Sequence, residues 1–134
     1  MNSDAHTDFA SAYESALREV ALPAFASACD FARQHGLECS VELLEGEMQL
    51  SELRLTVQGS CHQPECYCRI TADPRTANLT YENQCGHHAD AQRLAAPLAS
   101  LNQMVLDTRL VQFFQEACGL RLDYAAERHS GGFW

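Results

Sequence analysis

The fold is decided by two neighbouring stretches, LRLTVQGSC at residues 53–61 and CYCRITA at residues 66–72. In each stretch apolar side chains alternate with mostly polar ones, which is the period of a β-strand with one buried and one solvent-facing side. The short segment His62–Glu65, which contains Pro64, lies between them. The two strands are therefore predicted to form an antiparallel hairpin with one apolar and one polar face.

The same alternation occurs once before this hairpin and once after it. Residues 37–43 carry Leu37, Cys39, Val41 and Leu43 in alternation, and residues 77–85 repeat the pattern up to Cys85. Short polar turns separate these runs from the central pair. Because antiparallel strands are joined by short turns, residues 37–85 are predicted to form a four-stranded antiparallel meander.

Helical patterns flank the predicted meander. Residues 7–35 carry apolar side chains three and four positions apart, and Gly36 follows where a helix ends in a left-handed residue. Pro23 lies inside this run, so a kink or break is predicted near Ala21–Leu22. The prediction for residues 89–118 is a second helical region, kinked or restarted at Pro97.

These elements predict one domain spanning residues 1–134, with residues 120–134 as a tail. The fold class is α+β, with an N-terminal and a C-terminal helical region packed on one face of the meander. The chain has 134 residues, of which 46% are hydrophobic and 20% charged, as expected of a globular domain. Fold class alone does not give a function.

The second helical region carries two apolar stripes on different sides. Leu94, Leu98 and Leu101 belong to the first stripe, and the second runs from Leu106 to Ala117. One stripe covers the sheet, so the other needs a second partner. Two alternatives stay open: packing against the first helix, or contact with a second copy in a homodimer.

Charge excludes several classes of function. There are 18 acidic and 9 basic residues, a net charge of −9, and every basic residue is an arginine. The absence of lysine excludes Walker-A and Schiff-base chemistry. The acidic balance argues against binding to nucleic acid or to an anionic membrane surface. With no signal-peptide pattern and no long apolar run, the predicted location is the cytoplasm.

The seven cysteines are an odd number in a chain large enough to build its own core, so they do not predict a disulfide scaffold. Cys29, Cys39 and Cys118 are interpreted as reduced core residues, because a free cysteine packs as a small hydrophobe.

A zinc site is the second interpretation of the remaining cysteines. A hairpin centred on residues 62–65 would set Cys61 directly opposite Cys66, and the next hairpin would return Cys85 to the same end of the sheet. Three thiols and one imidazole suit tetrahedral zinc. The predicted ligands are Cys61, Cys66, Cys85 and His87, with Cys68, His62 and His88 as substitutes.

The sequence shows no GxGxxG, GxSxG or HExxH motif and no EF-hand loop. The first functional hypothesis is therefore a non-catalytic binding or interaction module that forms a homodimer. The zinc protein is the alternative, and a small enzyme that uses a thiol or an open metal site is the second alternative. A cross-strand disulfide between Cys61 and Cys66 is a redox variant of the same site.

Arg54 and Arg69 share the polar face with Glu42 and Glu82, which predicts cross-strand ion pairs.

Overall fold

A computed structural model describes residues 2–46, 50–58, 65–84 and 91–124. The N-terminal helical region consists of two α-helices joined by a π turn that ends just before Pro23. Helix α1 spans Asn2–Ala16, a π turn covers Leu17–Ala21, and α2 spans Leu22–Gln34. The N–H of Leu22 donates to the carbonyl of Leu17, five residues back. Proline has no N–H and its ring crowds the carbonyl four residues before it, so the wider turn falls where Pro23 predicts a break.

The sheet is a meander of five antiparallel strands in chain order. Each strand pairs with its neighbours in sequence, as the alternation predicts for the first four. The strands are β1 Glu38–Glu45, β2 Ser51–Gln58, β3 Cys66–Asp73, β4 Asn78–Gln84 and β5 Gln92–Pro97.

The fifth strand corrects the four-stranded prediction. Residues 92–97 fall inside the predicted helical region 89–118, yet they pair with β4 as β5. Leu94, Leu98 and Leu101 have helical spacing, but Leu94 lies opposite Tyr81 in the sheet and Leu98 begins a short 3₁₀ turn. Pro97 cannot donate to a ladder, and it closes this edge strand. The α+β class holds, with a shorter C-terminal helix than predicted.

Helix α3 spans Gln103–Cys118 and is capped at both ends. The side chain of Asn102 accepts a hydrogen bond from the N–H of Val105, which satisfies one of the open donors of the first turn. Gly119 follows the helix at φ +65°, a conformation that glycine adopts without a steric penalty.

The core lies between the helices and one face of the sheet. On the three central strands the inward positions are nearly all fully buried, among them Leu53, Leu55 and Ile70. The second stripe of the C-terminal region is buried too, all within one chain. Its members are Leu106, Leu110, Phe113, Phe114 and Ala117.

Burial of this stripe removes the surplus apolar helix surface from which a homodimer was predicted. Helix α3 contacts α2 and the π turn, so the first of the two alternatives, packing within the chain, accounts for the stripe. Homodimer formation stays a prediction that needs other support. None of the helices in the described ranges is long and apolar enough to cross a membrane.

Candidate binding surface on the sheet

The face of the sheet opposite the core carries a polar surface, here called the open face. Within the described ranges, the strand residues of the buried core all belong to the other face. The residues of the open face are half-buried or exposed, with one exception: Glu82 on β4 is only 3% exposed. A buried carboxylate is costly unless it is paired, so its partners define the centre of this surface.

Three donors from neighbouring strands converge on Glu82. The hydroxyl of Tyr67 donates to Oε2 at 2.5 Å, and Nη2 of Arg69 donates to Oε1 at 2.6 Å. Nε of Arg93 lies 3.3 Å from the same Oε1. The strand register explains the arrangement, because Glu82 lies directly opposite Arg69 on β3 and Arg93 on β5. The predicted pairing of Arg69 with Glu82 is confirmed.

A second carboxylate, Glu52 on β2, extends the network. Nη2 of Arg54 donates to its Oε2 at 2.8 Å, and Nη1 of Arg69 lies 3.5 Å from the same oxygen. Arg69 therefore bridges Glu52 and Glu82. Arg54 also stacks over the ring of Tyr67, 5.9 Å from its centroid. The carboxylate paired with Arg54 is Glu52, its neighbour along the strand, and not Glu42 on β1.

The electrostatics of the network hold Glu82 ionised and Tyr67 neutral. Burial acts to raise the pKa of Glu82, but the hydrogen bonds from Tyr67 and Arg69 outweigh it and keep this pKa below the ordinary value. Burial and the hydrogen bond to Glu82 raise the pKa of Tyr67. The oxygens of Glu82 already accept hydrogen bonds, so at neutral pH this carboxylate is not placed to take a proton from a substrate.

A polar cavity of about 250 Å³ adjoins the network at the β3–β4 turn. Glu52 and Arg69 line one side of it, and Asp73 and Arg75 line another. The backbone N–H of Arg75 donates to Oδ1 of Asp73 at 2.9 Å, which lowers the pKa of Asp73. Both signs of charge thus face the cavity, an arrangement that suits a polar, zwitterionic or charge-patterned ligand.

The edges of the sheet differ in chemistry. The outer strand β1 carries exposed Glu38, Glu42 and Glu45, and repeated charge of one sign opposes edge-to-edge pairing. At the other edge, residues 92–95 of β5 are all exposed. In the described ranges the large hydrophobic side chains that are most exposed are Leu94, at 50%, and Met104, at 43%. Leu94 lies on the edge strand β5, and Met104 lies at the start of α3.

The predicted zinc ligands are only partly described. Cys66 and Cys68 lie on the core side of β3, 5% and 3% exposed. Cys66 pairs with Val57, so the predicted direct opposition of Cys61 and Cys66 is wrong: the strands are offset from that register. The other predicted ligands lie outside the described residues. They are Cys61, His62, Cys85, His87 and His88.

No group of three or more potential metal-ligating side chains occurs among the residues that the structure describes. The zinc site therefore stays a prediction. Elemental analysis of protein purified without chelator or metal column tests it, and about one zinc per chain would support it.

The cysteines interpreted as core residues are reduced thiols, and two of them are fully packed. Cys29 and Cys39 are 3% and 7% exposed, and Cys118 is half-buried. Burial, together with a hydrogen bond to Cys29, raises the pKa of Cys39. A thiol with a raised pKa is a poor nucleophile at neutral pH, so Cys39 does not offer a catalytic group.

Comparison with known proteins adds no further guide to function. No protein-family model matches the chain, and no curated protein or solved structure is detectably similar to it.

Proposed function

We propose that the protein is a cytoplasmic, non-catalytic interaction module in which two copies pair through β5. The observation that carries the proposal is the exposed edge of β5 with Leu94 half-exposed on it. An edge strand presents unpaired N–H and C=O groups that another strand can satisfy. The acidic residues of β1 oppose such pairing at the other edge, which leaves β5 as the edge suited to it.

Two-fold symmetry makes this edge complementary to itself. When two copies of β5 pair antiparallel with Ala95 of one copy opposite Ala95 of the other, Arg93 of each copy lies opposite Pro97 of the other and Leu94 lies opposite Ala96. Arg93 is also neutralised by Glu82 within its own sheet. No like-charge contact therefore opposes the pairing, and Leu94 gains apolar contact with the partner copy.

Pairing of this kind gives the module one extended binding surface. A two-fold axis perpendicular to the sheet keeps the two open faces on the same side, so each dimer presents two Glu82 networks on one continuous sheet of ten strands. The proposed partner is a polar molecule with charges of both signs. Both oxygens of Glu82 already accept a short hydrogen bond, which favours binding over catalysis at this surface.

The test measures the mass of the protein in solution by light scattering or sedimentation, over a range of protein concentrations. The wild-type chain of 14.9 kDa is expected to have twice that mass. Ala95→Glu places two carboxylates close together across the two-fold axis and is expected to shift the protein towards monomer, roughly fivefold in dissociation constant for each kcal/mol of repulsion.

Ser40→Glu is the matched control, because Ser40 is an exposed open-face residue on the other edge strand, β1. It is expected to leave the mass unchanged. A mass of one chain for the wild type at every concentration would overturn the homodimer. A dimer weakened by Ser40→Glu and not by Ala95→Glu would place the interface away from β5.

A further inference from the structure

A second cavity of about 250 Å³ lies on the opposite side of the sheet from the Glu82 network, between α3 and the last two strands. Arg109 and Gln112 line it from α3, and Asn83 and Gln92 line it from β4 and β5. Glu116 is the carboxylate among its lining residues. Its wall is thus formed largely by groups that donate hydrogen bonds, on a protein of net charge −9.

Arg109 is held rigidly in this cavity. Its Cζ lies 4.1 Å from the centroid of the Tyr81 ring, a close cation–π contact. Tyr81 is itself fixed, since it is 3% exposed and its hydroxyl lies 3.0 Å from Oγ of Ser100. A guanidinium held flat on a fixed ring loses little further freedom when it binds a ligand.

The guanidinium of Arg109 has no acceptor within the described ranges. Its Nε is buried without a hydrogen-bond partner, as is Nε of Arg54 and of Arg69, but those two guanidinium groups reach a carboxylate through another nitrogen. Seven other arginines are described, and each donates to or pairs with an oxygen. Six of them contact a carboxylate, and Arg33 donates to the carbonyl of Cys39. Because protein interiors seldom leave buried donors unpaired, Arg109 stands out as a group that lacks its acceptor.

We propose that Arg109, stacked on Tyr81 and flanked by Asn83, Gln92 and Gln112, is a binding site for a carboxylate ligand. The planar fork of arginine matches the two oxygens of a carboxylate, and the amide side chains supply further donors. Glu116 disfavours a dianion such as phosphate more than a monoanionic carboxylate group. The cavity is slightly smaller than the roughly 300–1,000 Å³ typical of pockets for drug-sized ligands, so it suits a small acid or the carboxyl end of a chain.

The proposal does not depend on the homodimer. The site lies between elements of one chain, so it exists in a monomer. Leu94 borders both the cavity and the proposed β5 interface, and the variants used for the site therefore leave Leu94 and Ala95 unchanged. Loss of dimerisation and loss of carboxylate binding are then separate results.

The experiment is a titration of the full chain followed by ¹H–¹⁵N correlation spectra that include arginine Nε–H and side-chain amide signals. Butyrate, a monoanion, serves as the small-acid probe, and inorganic phosphate is the comparison anion. A short alanine peptide is titrated with a free and with an amidated C-terminus. Saturable shifts of the Arg109, Asn83 and Gln92 signals are expected with butyrate or with the free-carboxyl peptide, and the arm that saturates identifies the source of the carboxylate.

Three variants assign the binding to this cavity. Arg109→Gln is expected to weaken it at least about tenfold, because a charge-assisted hydrogen bond is lost. Arg109→Lys keeps the charge without the fork and is expected to bind more weakly than wild type. Glu116→Gln is expected to bind more tightly, a gain that partial unfolding does not produce.

Arg75→Gln is the matched control, since Arg75 lines the cavity at the β3–β4 turn, which has the same volume. It is expected to bind as wild type does. Three outcomes would overturn the proposal: shifts that rise linearly without saturation, binding that survives Arg109→Gln, or phosphate that binds as tightly as the carboxylate probes. Binding abolished by Arg75→Gln and retained by Arg109→Gln would move the site to the open face.

Discussion

Replacement of Glu82 by glutamine tests whether the network on the open face stabilises the fold. The substitution keeps the size of the side chain and removes its charge. Glutamine still offers one oxygen as an acceptor, but its amide group would face a donor from Tyr67 or Arg69. We expect Glu82→Gln to destabilise the protein, because the positive charge of Arg69 then loses its closest carboxylate.

The magnitude follows from the contacts. Tyr67 and Arg69 make the two short hydrogen bonds to Glu82, and a hydrogen bond to a charged group contributes about 1.5–3 kcal/mol. Arg93 is 65% exposed and its pairing adds at most about 1 kcal/mol. Since glutamine retains part of this bonding, we expect a loss of about 2–4 kcal/mol in the free energy of unfolding. For a domain of this size that corresponds to a Tm lower by roughly 10 °C.

Urea unfolding followed by circular dichroism measures the difference, with Glu42→Gln as the matched control. Glu42 also lies on the open face and is exposed, so its replacement is expected to change stability by less than about 0.5 kcal/mol. A double-mutant cycle of Glu82→Gln with Tyr67→Phe then isolates the coupling between the two groups. If Glu82→Gln is no more destabilising than Glu42→Gln, the reasoning from the buried network is wrong.

Two further predictions concern proton equilibria. The pKa of Glu82 is lowered in the folded protein, so the contribution of this carboxylate to stability is complete above its unfolded pKa of about 4.3 and is lost as pH falls through the lower folded value. The difference in unfolding free energy between wild type and Glu82→Gln, measured in urea from pH 6 to pH 3, should therefore shrink in acid. A constant difference would contradict this. Burial and the hydrogen bond with Cys29 raise the pKa of Cys39. Iodoacetamide should therefore alkylate Cys39 more slowly than the half-buried Cys118, and peptide mass spectrometry measures the two rates. Faster labelling of Cys39 would contradict its packing.

The first four strands were predictable because one side of each is largely apolar and the other largely polar. Their observed bounds differ from the predicted ones by a few residues, at turns where the alternation fades. The fifth strand was not predictable in this way. Residues 92–95 are exposed on both sides, so they carry no alternation, and Leu94 fits the spacing of the following apolar residues. Only the pairing with residues 78–83 of β4 defines this strand.

The candidate surfaces were predictable in part. The pairing of Arg69 with Glu82 follows from the alternation, since both lie on the polar side of adjacent strands. The role of Tyr67 was missed, although its position between Cys66 and Cys68 already placed an aromatic hydroxyl on the polar side. The stacking of Arg109 on Tyr81 depends on how α3 lies across the sheet, which no local pattern in the sequence specifies.

The order of the strands has a consequence for folding. Each strand pairs with the one before it, so the sheet forms through short loop closures, which cost little chain entropy. Helix α3 follows the whole sheet in the chain and supplies Phe113 and Phe114 to the core. During synthesis from the N-terminus, the strands can therefore pair before the apolar face of the sheet is fully covered. Until α3 leaves the ribosome, the nascent sheet carries an apolar surface that a chaperone can recognise.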